Sequence, residues 1–281
     1  MAAPLIGAEA ESGRAVRTLV ALGDSTTVGL GDPLPGGGWR GFGPLLADAL
    51  GSTRYRNLSF TGARIGTVRE TQLPTAIALR PDAVVLVVGM NDTLRSDFDP
   101  VRLHDDLDHV VGELRVAGAE VVTVRFHDHG RVFRLPGPLH RALARRIGEL
   151  NDVIETVVTR HEIGCVDLDL MPGAYELSAW SVDRLHPSEL GHRMLARAFA
   201  DRLAEAGCQV PEPVSLVCTG GARITPLHHL GWLVVKGVPW LWRRGSDLVP
   251  HAVGILLRAL VDGERAEPPT PETPGTVGQP G

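Results

Sequence analysis

Between Arg17 and about Asp201 the chain alternates short, β-branched apolar runs with longer stretches whose apolar positions recur every three or four residues. The short runs predict strands over Thr18–Leu22, Tyr55–Leu58, Ala83–Val88, Glu120–Arg125 and Gly164–Leu168. The longer stretches predict helices near Pro44–Leu50, Val68–Leu79, Pro100–Ala117, Pro138–His161 and Ser188–Ala206. Regular alternation of strand and helix is the pattern of a parallel sheet covered on both faces. Val84 to Val88 is apolar at every position, as a strand buried from both sides requires. The expected fold class is therefore α/β, a three-layer α/β/α arrangement around a doubly wound, parallel, five-stranded sheet.

Such sheets gather their chemistry just beyond the carboxyl ends of the strands. That rule singles out Gly23-Asp24-Ser25, Ser59 to Ala63, Gly89 to Asp92, and His127 to His129. The expected organisation is an N-terminal extension (1–16), one domain (17–210), a Trp-rich arm packing on it (211–263) and a disordered Pro-rich tail (264–281).

Composition narrows the function classes. With 281 residues, 43% hydrophobic and 22% charged, the chain can bury one substantial core. A net charge of −5 leaves no basic footprint for a polyanion, which argues against nucleic acid as a partner. Three cysteines without a C-x-x-C spacing fit reduced thiols in a cytoplasmic protein, although a Cys208–Cys218 bridge stays open. The first residues lack the pattern of a secretory signal. The apolar runs Leu230–Val235 and Gly237–Trp242 are separated by Lys236, and each falls short of the roughly 20 residues a spanning helix needs.

Ser25 follows the first strand, where Gly23 permits a tight turn that can present a hydroxyl at the sheet end. Alone, such a serine is more often a helix cap than a nucleophile. In Asp183-Arg184-Leu185-His186-Pro187-Ser188, a carboxylate and an imidazole lie three residues apart, ahead of a helix that Ser188 can cap. Serine hydrolysis needs a base for the hydroxyl proton and a carboxylate to orient that base. It also needs donors for a tetrahedral oxyanion. Gly62 can offer a backbone N–H and Asn91 a side-chain amide, with a turn glycine and an Asx turn as the alternatives.

These four segments, in this order and after these strands, resemble the SGNH hydrolase superfamily, the GDSL esterases and lipases, across about Thr18 to Arg202. The resemblance implies a flavodoxin-like SGNH fold. It further implies Ser25 as nucleophile, His186 as base, Asp183 as the group that orients it, and an oxyanion hole made by Ser25 N–H, Gly62 N–H and the Asn91 side chain. Thr26 stands where the family often has Leu, and Arg184 where Gly is commoner; neither change removes a reacting group. The implied activity is a serine esterase acting on a small-molecule or lipid ester, with no metal or organic cofactor. An acyltransferase using the same acyl-enzyme with a sugar or lipid hydroxyl as acceptor is the alternative, and a non-catalytic lipid- or carbohydrate-binding relative is a third reading. Substrate and oligomeric state stay open.

Gly36 to Gly41 matches G-x-G-x-x-G, but no strand runs into it, which argues against a dinucleotide site. Trp39, Arg40 and Phe42 are assigned instead to the site rim or a helix start. His127 and His129 lack a third ligand for a metal and are expected as surface or substrate-contact histidines. Trp232, Trp240 and Trp242, followed by Arg243-Arg244, resemble a tail of some actinobacterial SGNH hydrolases. That segment is expected to dock on the domain, or to lie over the cleft or against a membrane surface.

Overall fold

The computed structural model describes residues 13–135 and 137–220. Trp232, Trp240, Trp242 and the Pro-rich tail lie outside the described residues. The elements in chain order are β1 (Thr18–Gly23), α1 (Ser25–Val28), α2 (Phe42–Ala49), β2 (Arg54–Asn57), α3 (Ile65–Thr67), a π-helical turn (Val68–Gln72), α4 (Leu73–Ala78), β3 (Ala83–Val87), α5 (Met90–Thr93), α6 (Pro100–Val116), β4 (Glu120–Arg125), α7 (His129–Phe133), α8 (Gly137–His161), β5 (Gly164–Asp167), a 3₁₀ turn (Leu177–Ala179) and α9 (Glu189–Glu205).

The five strands form one parallel sheet in the order β2-β1-β3-β4-β5. Reversal of strand order between β1 and β3 opens a crevice at their carboxyl ends, the place where this topology binds ligands. β3 is buried at every position, and α6 packs against α8 while α2 packs against α9. The outer strand β2 carries exposed Arg54 and Arg56, charges that discourage edge-to-edge pairing.

All five predicted strands and the long helices occupy their expected places within one or two residues. The predicted continuous helix over Val68–Leu79 is interrupted. Pro74 has no N–H to continue the ladder, and the chain widens into the π turn before α4 begins. That widening leaves the buried Gln72 side chain aimed at the end of β1. Its Oε1 accepts from Gly23 N at 2.8 Å and its Nε2 donates to Gly23 O at 2.9 Å.

Phe42 starts α2 and is fully buried rather than at a rim, whereas Trp39 is 43% exposed. Arg40 pairs with Asp32 and Glu189. Cys165, Cys208 and Cys218 are all free thiols, so the Cys208–Cys218 bridge is not formed.

Gly23 is the tightest point of the sheet end. It sits at φ +139°, and a Cβ there would lie 2.0 Å from the Val87 carbonyl oxygen. Gly23→Ala is therefore expected to cost at least about 2 kcal/mol of stability, since both backbone strain and backbone collision oppose it. Thermal unfolding compared with the parent protein checks this.

Candidate active site

Immediately after Gly23, Asp24 caps α1 by accepting from Thr26 N at 3.0 Å, and Ser25 becomes the first helical residue. A first-turn N–H has no partner within its helix, so this position presents both a hydroxyl and a free donor. Ser25 Oγ lies 2.8 Å from His186 Nε2, a contact between residues 161 apart in the chain. His186 Nδ1 lies 2.7 Å from Asp183 Oδ2. The structure thus brings together the serine, histidine and carboxylate singled out in the sequence.

Asp183 is unusually well held. Its Oδ1 accepts from Ser181 Oγ at 2.7 Å, Leu185 N at 2.9 Å and His186 N at 3.0 Å. Burial would raise its pKa, but the hydrogen bond and charge of His186, the Ser181 hydroxyl and the backbone donors overcome this and hold it at about 2. The next residues return the chain to α9, whose N-terminus Ser188 caps by accepting from Gly191 N. His192, one turn along α9, meets the Leu30 carbonyl at 2.9 Å and ties that helix to the loop after α1.

Asn91 lies in α5, and its Nδ2 donates to Asp24 Oδ2 at 3.3 Å and to Ala63 O at 3.1 Å. One amide therefore joins the residue before Ser25 to the residue after Gly62. Gly62 takes φ +84°, a conformation that favours glycine, and its N–H has no acceptor among the described residues. Arg64 bonds to Asp92 Oδ1 at 3.1 Å and to Asp97 Oδ2 at 2.9 Å, while Ile65 N donates to Asp92 Oδ2. Asp92 is buried, and burial raises its pKa against the lowering effect of Arg64.

The reading of His127 and His129 as surface residues is corrected. They are 3% and 2% exposed, packed with Trp180 under the loop that carries Asp183 and His186. Burial pushes His127 down to about 4 and His129 to about 3, so both rings are neutral. Among the described residues no cluster of three or more His, Cys, Asp or Glu side chains is arranged to hold a metal. An apolar cavity of about 60 Å³ lies against the site, lined by Asp24 and Thr26 on either side of Ser25, by Leu185 and Pro187 on either side of His186, and by Met90 and Trp180.

Sequence reasoning missed Gln72, Ser181 and the Arg64–Asp92 pair. Only Asp92, adjacent to Asn91, carried a local signal.

A sheet-end serine in contact with a buried histidine, itself held by a carboxylate on a parallel α/β sheet, defines a serine hydrolase. The model of the GDSL-like lipase/acylhydrolase family matches residues 21–194, and the chain belongs to that family. It is similar in fold to LAE5, an alpha/beta hydrolase from the metagenome of Lake Arreo, with 23% identity, a TM-score of 0.54, and coverage of 69% of this chain and 97% of that one. It is also similar to the psychrotrophic esterase EstA from Pseudoalteromonas sp., with 18% identity, a TM-score of 0.52, and 68% and 98% of the two chains covered. A third similar structure is phospholipase A1 from Streptomyces albidoflavus NA297, with 18% identity, a TM-score of 0.53, and 68% and 99% covered. No curated protein matches the chain.

Asp24 and Asp183 make opposite contributions to stability. Burial raises Asp24 to about 6, so between about pH 4 and 6 the native state keeps a proton that the unfolded chain has released. Stability from this group is full below about pH 4 and falls by about 3 kcal/mol as pH rises through 6. Asp183 is held low, so its contribution of about 2 kcal/mol is present above about pH 4 and is lost as pH falls toward 2. Asp24→Asn should make the decline between pH 4 and 6 shallower, read by urea unfolding at stepped pH.

Proposed function

We propose that this protein is a serine esterase/acylhydrolase that cleaves carboxylic esters through an acyl-enzyme on Ser25. The observation that carries the reading is the continuous contact Ser25 Oγ–His186 Nε2 and His186 Nδ1–Asp183 Oδ2, at 2.8 and 2.7 Å. Ser25 Oγ attacks the ester carbonyl while His186 Nε2 takes its proton. The carbonyl oxygen becomes an oxyanion, met by Ser25 N–H, Gly62 N–H and the Asn91 amide. When the intermediate collapses, the bond to the alkoxy oxygen breaks, and His186 returns the proton to the departing alcohol. Water then repeats the sequence: His186 deprotonates it, it attacks the acyl carbon, and the bond to Oγ breaks with the proton returned to Ser25. These steps draw on no metal or organic cofactor.

Asp183 keeps His186 in the tautomer with a free Nε2 lone pair and stabilises the imidazolium once it forms. Asn91 spends both amide hydrogens on protein acceptors in the free site, and the longer bond, to Asp24 at 3.3 Å, is the one released to the oxyanion. Loss of such a donor costs about 3 kcal/mol of transition-state stabilisation.

The wider reading rests on sequence alone. The catalytic unit is 17–210, with the arm 211–263 and the tail 264–281 appended. An actinobacterial type, a cytoplasmic location and peripheral membrane contact through Trp232, Trp240 and Trp242 belong to the same proposal. Among the described residues no helix is long and apolar enough to cross a membrane.

A p-nitrophenyl ester series tests the reaction and the acyl preference together. The parent protein should turn over esters of this series, and Ser25→Ala should lower kcat by at least about 10³-fold. A fluorophosphonate should add its mass to Ser25. Undiminished turnover by Ser25→Ala, or an unlabelled Ser25, overturns the proposal. With excess alcohol present, a product that is mainly the new ester assigns the protein to the acyltransferases instead.

A further inference from the structure

The loop carrying Asp183 and His186 contains a strained residue held from outside. Arg184, between them, sits at φ +54°, a left-handed conformation that a side-chain-bearing residue keeps only when its surroundings enforce it. Its carbonyl oxygen faces His129 Nε2 at 3.0 Å. A carbonyl can only accept, so Nε2 carries the proton and donates. The neutral ring is then left with a bare Nδ1, which lies 2.9 Å from His127 Nε2. His127 must therefore donate through Nε2, and both tautomers are set by the one carbonyl.

The two rings are anchored where the sheet ends. His127 follows β4, whose next residue, Phe126, exchanges two hydrogen bonds of 2.8 Å with the Asn151 side chain of α8. Asp128 caps α7 through Gly130 N and contacts His140 at 2.7 Å. His129 is wedged between Trp180 and Phe133, with ring centroids at 5.0 and 4.5 Å. A rigid post thus rises from β4 and grips the backbone one residue beyond Asp183 and two before His186.

We propose that His129 is a positioning residue for the esterase reaction, acting through its hydrogen bond to the Arg184 carbonyl to keep the Asp183–His186 turn in register with Ser25, with His127 fixing its tautomer. This rests on the reading of His186 as the base. No hydrogen bond joins His129 to Ser25 or to the His186 ring, so it acts through the Arg184 carbonyl. A displacement of about 1 Å at a reacting group lowers rate by up to about 10²-fold.

The test uses the full-length protein with three substitutions. His129→Met fills the space and removes the donor; His129→Gln keeps an amide N–H at the reach of Nε2; His129→Asn places its amide at the reach of Nδ1 and leaves the Arg184 carbonyl without its donor. His129→Met should lower kcat on p-nitrophenyl acetate by about 10- to 100-fold with KM changed by less than about 3-fold, and slow fluorophosphonate labelling of Ser25 in parallel. It should also broaden or shift the downfield proton resonance of His186 Nδ1–H. His129→Gln should recover kcat to within about 5-fold of the parent. If His129→Met does not fold, His129→Asn takes its place with the same expected loss. A folded Met or Asn variant with parental kcat, labelling rate and resonance overturns the inference, as does a Gln variant no better than Met or Asn. The Ser25 dependence of the parent activity is a separate readout, so failure of the esterase reading and failure of this inference are distinguishable.

Discussion

At the carboxyl ends of β1 and β3 two backbones pass so closely that a methyl group at Gly23 would overlap the Val87 carbonyl. The approach is possible because Gly23 takes a positive φ and because Gln72, delivered by a π-helical turn, satisfies both its N–H and its carbonyl. Asp24 N then donates to Val87 O, which locks the start of α1 onto the neighbouring strand. Everything chemical about the molecule is referenced to that point, since Ser25 is the next residue and Asn91 lies four beyond Val87.

From this origin the site is assembled by carboxylates doing different work. Asp24 caps α1 and accepts from Asn91, so one side chain orients both the serine segment and the amide beside it. Asp92 joins the Gly62 loop to α5 through Arg64 and Ile65 N. Asp183 collects four donors, a number that keeps it ionised despite burial and leaves the imidazole only one orientation. Charge is admitted to the interior only where several hydrogen bonds meet it, which is the condition on which buried ions are tolerable.

The histidines divide in the same way. His186 faces Ser25, and the neutral rings of His129 and His192 hold the surrounding loops by meeting backbone carbonyls of Arg184 and Leu30. Burial keeps both rings uncharged, so their donor and acceptor roles persist over the ordinary pH range. Residue type alone does not say what a buried histidine meets; the partner that the fold supplies does.

The order of strands and long helices was legible in the chain because apolar periodicity is a local property, read within a window of a dozen residues. The candidates Ser25, Gly62, Asn91, Asp183 and His186 could be singled out for a related reason: each sits in a short segment at a strand end or before a capped helix, and Asp183 and His186 are bonded within one turn. Pro74 was visible, but its consequence was not, since whether a helix breaks or widens depends on what the displaced Gln72 can reach. The burial of His127 and His129, the grip on Arg184 and the bridge from Asn91 to both Asp24 and Ala63 join residues 2 to 67 positions apart. Hydrogen bonds between distant segments leave no periodic trace in composition; only when parallel strands bring their ends to one edge does the third dimension choose which polar atoms meet.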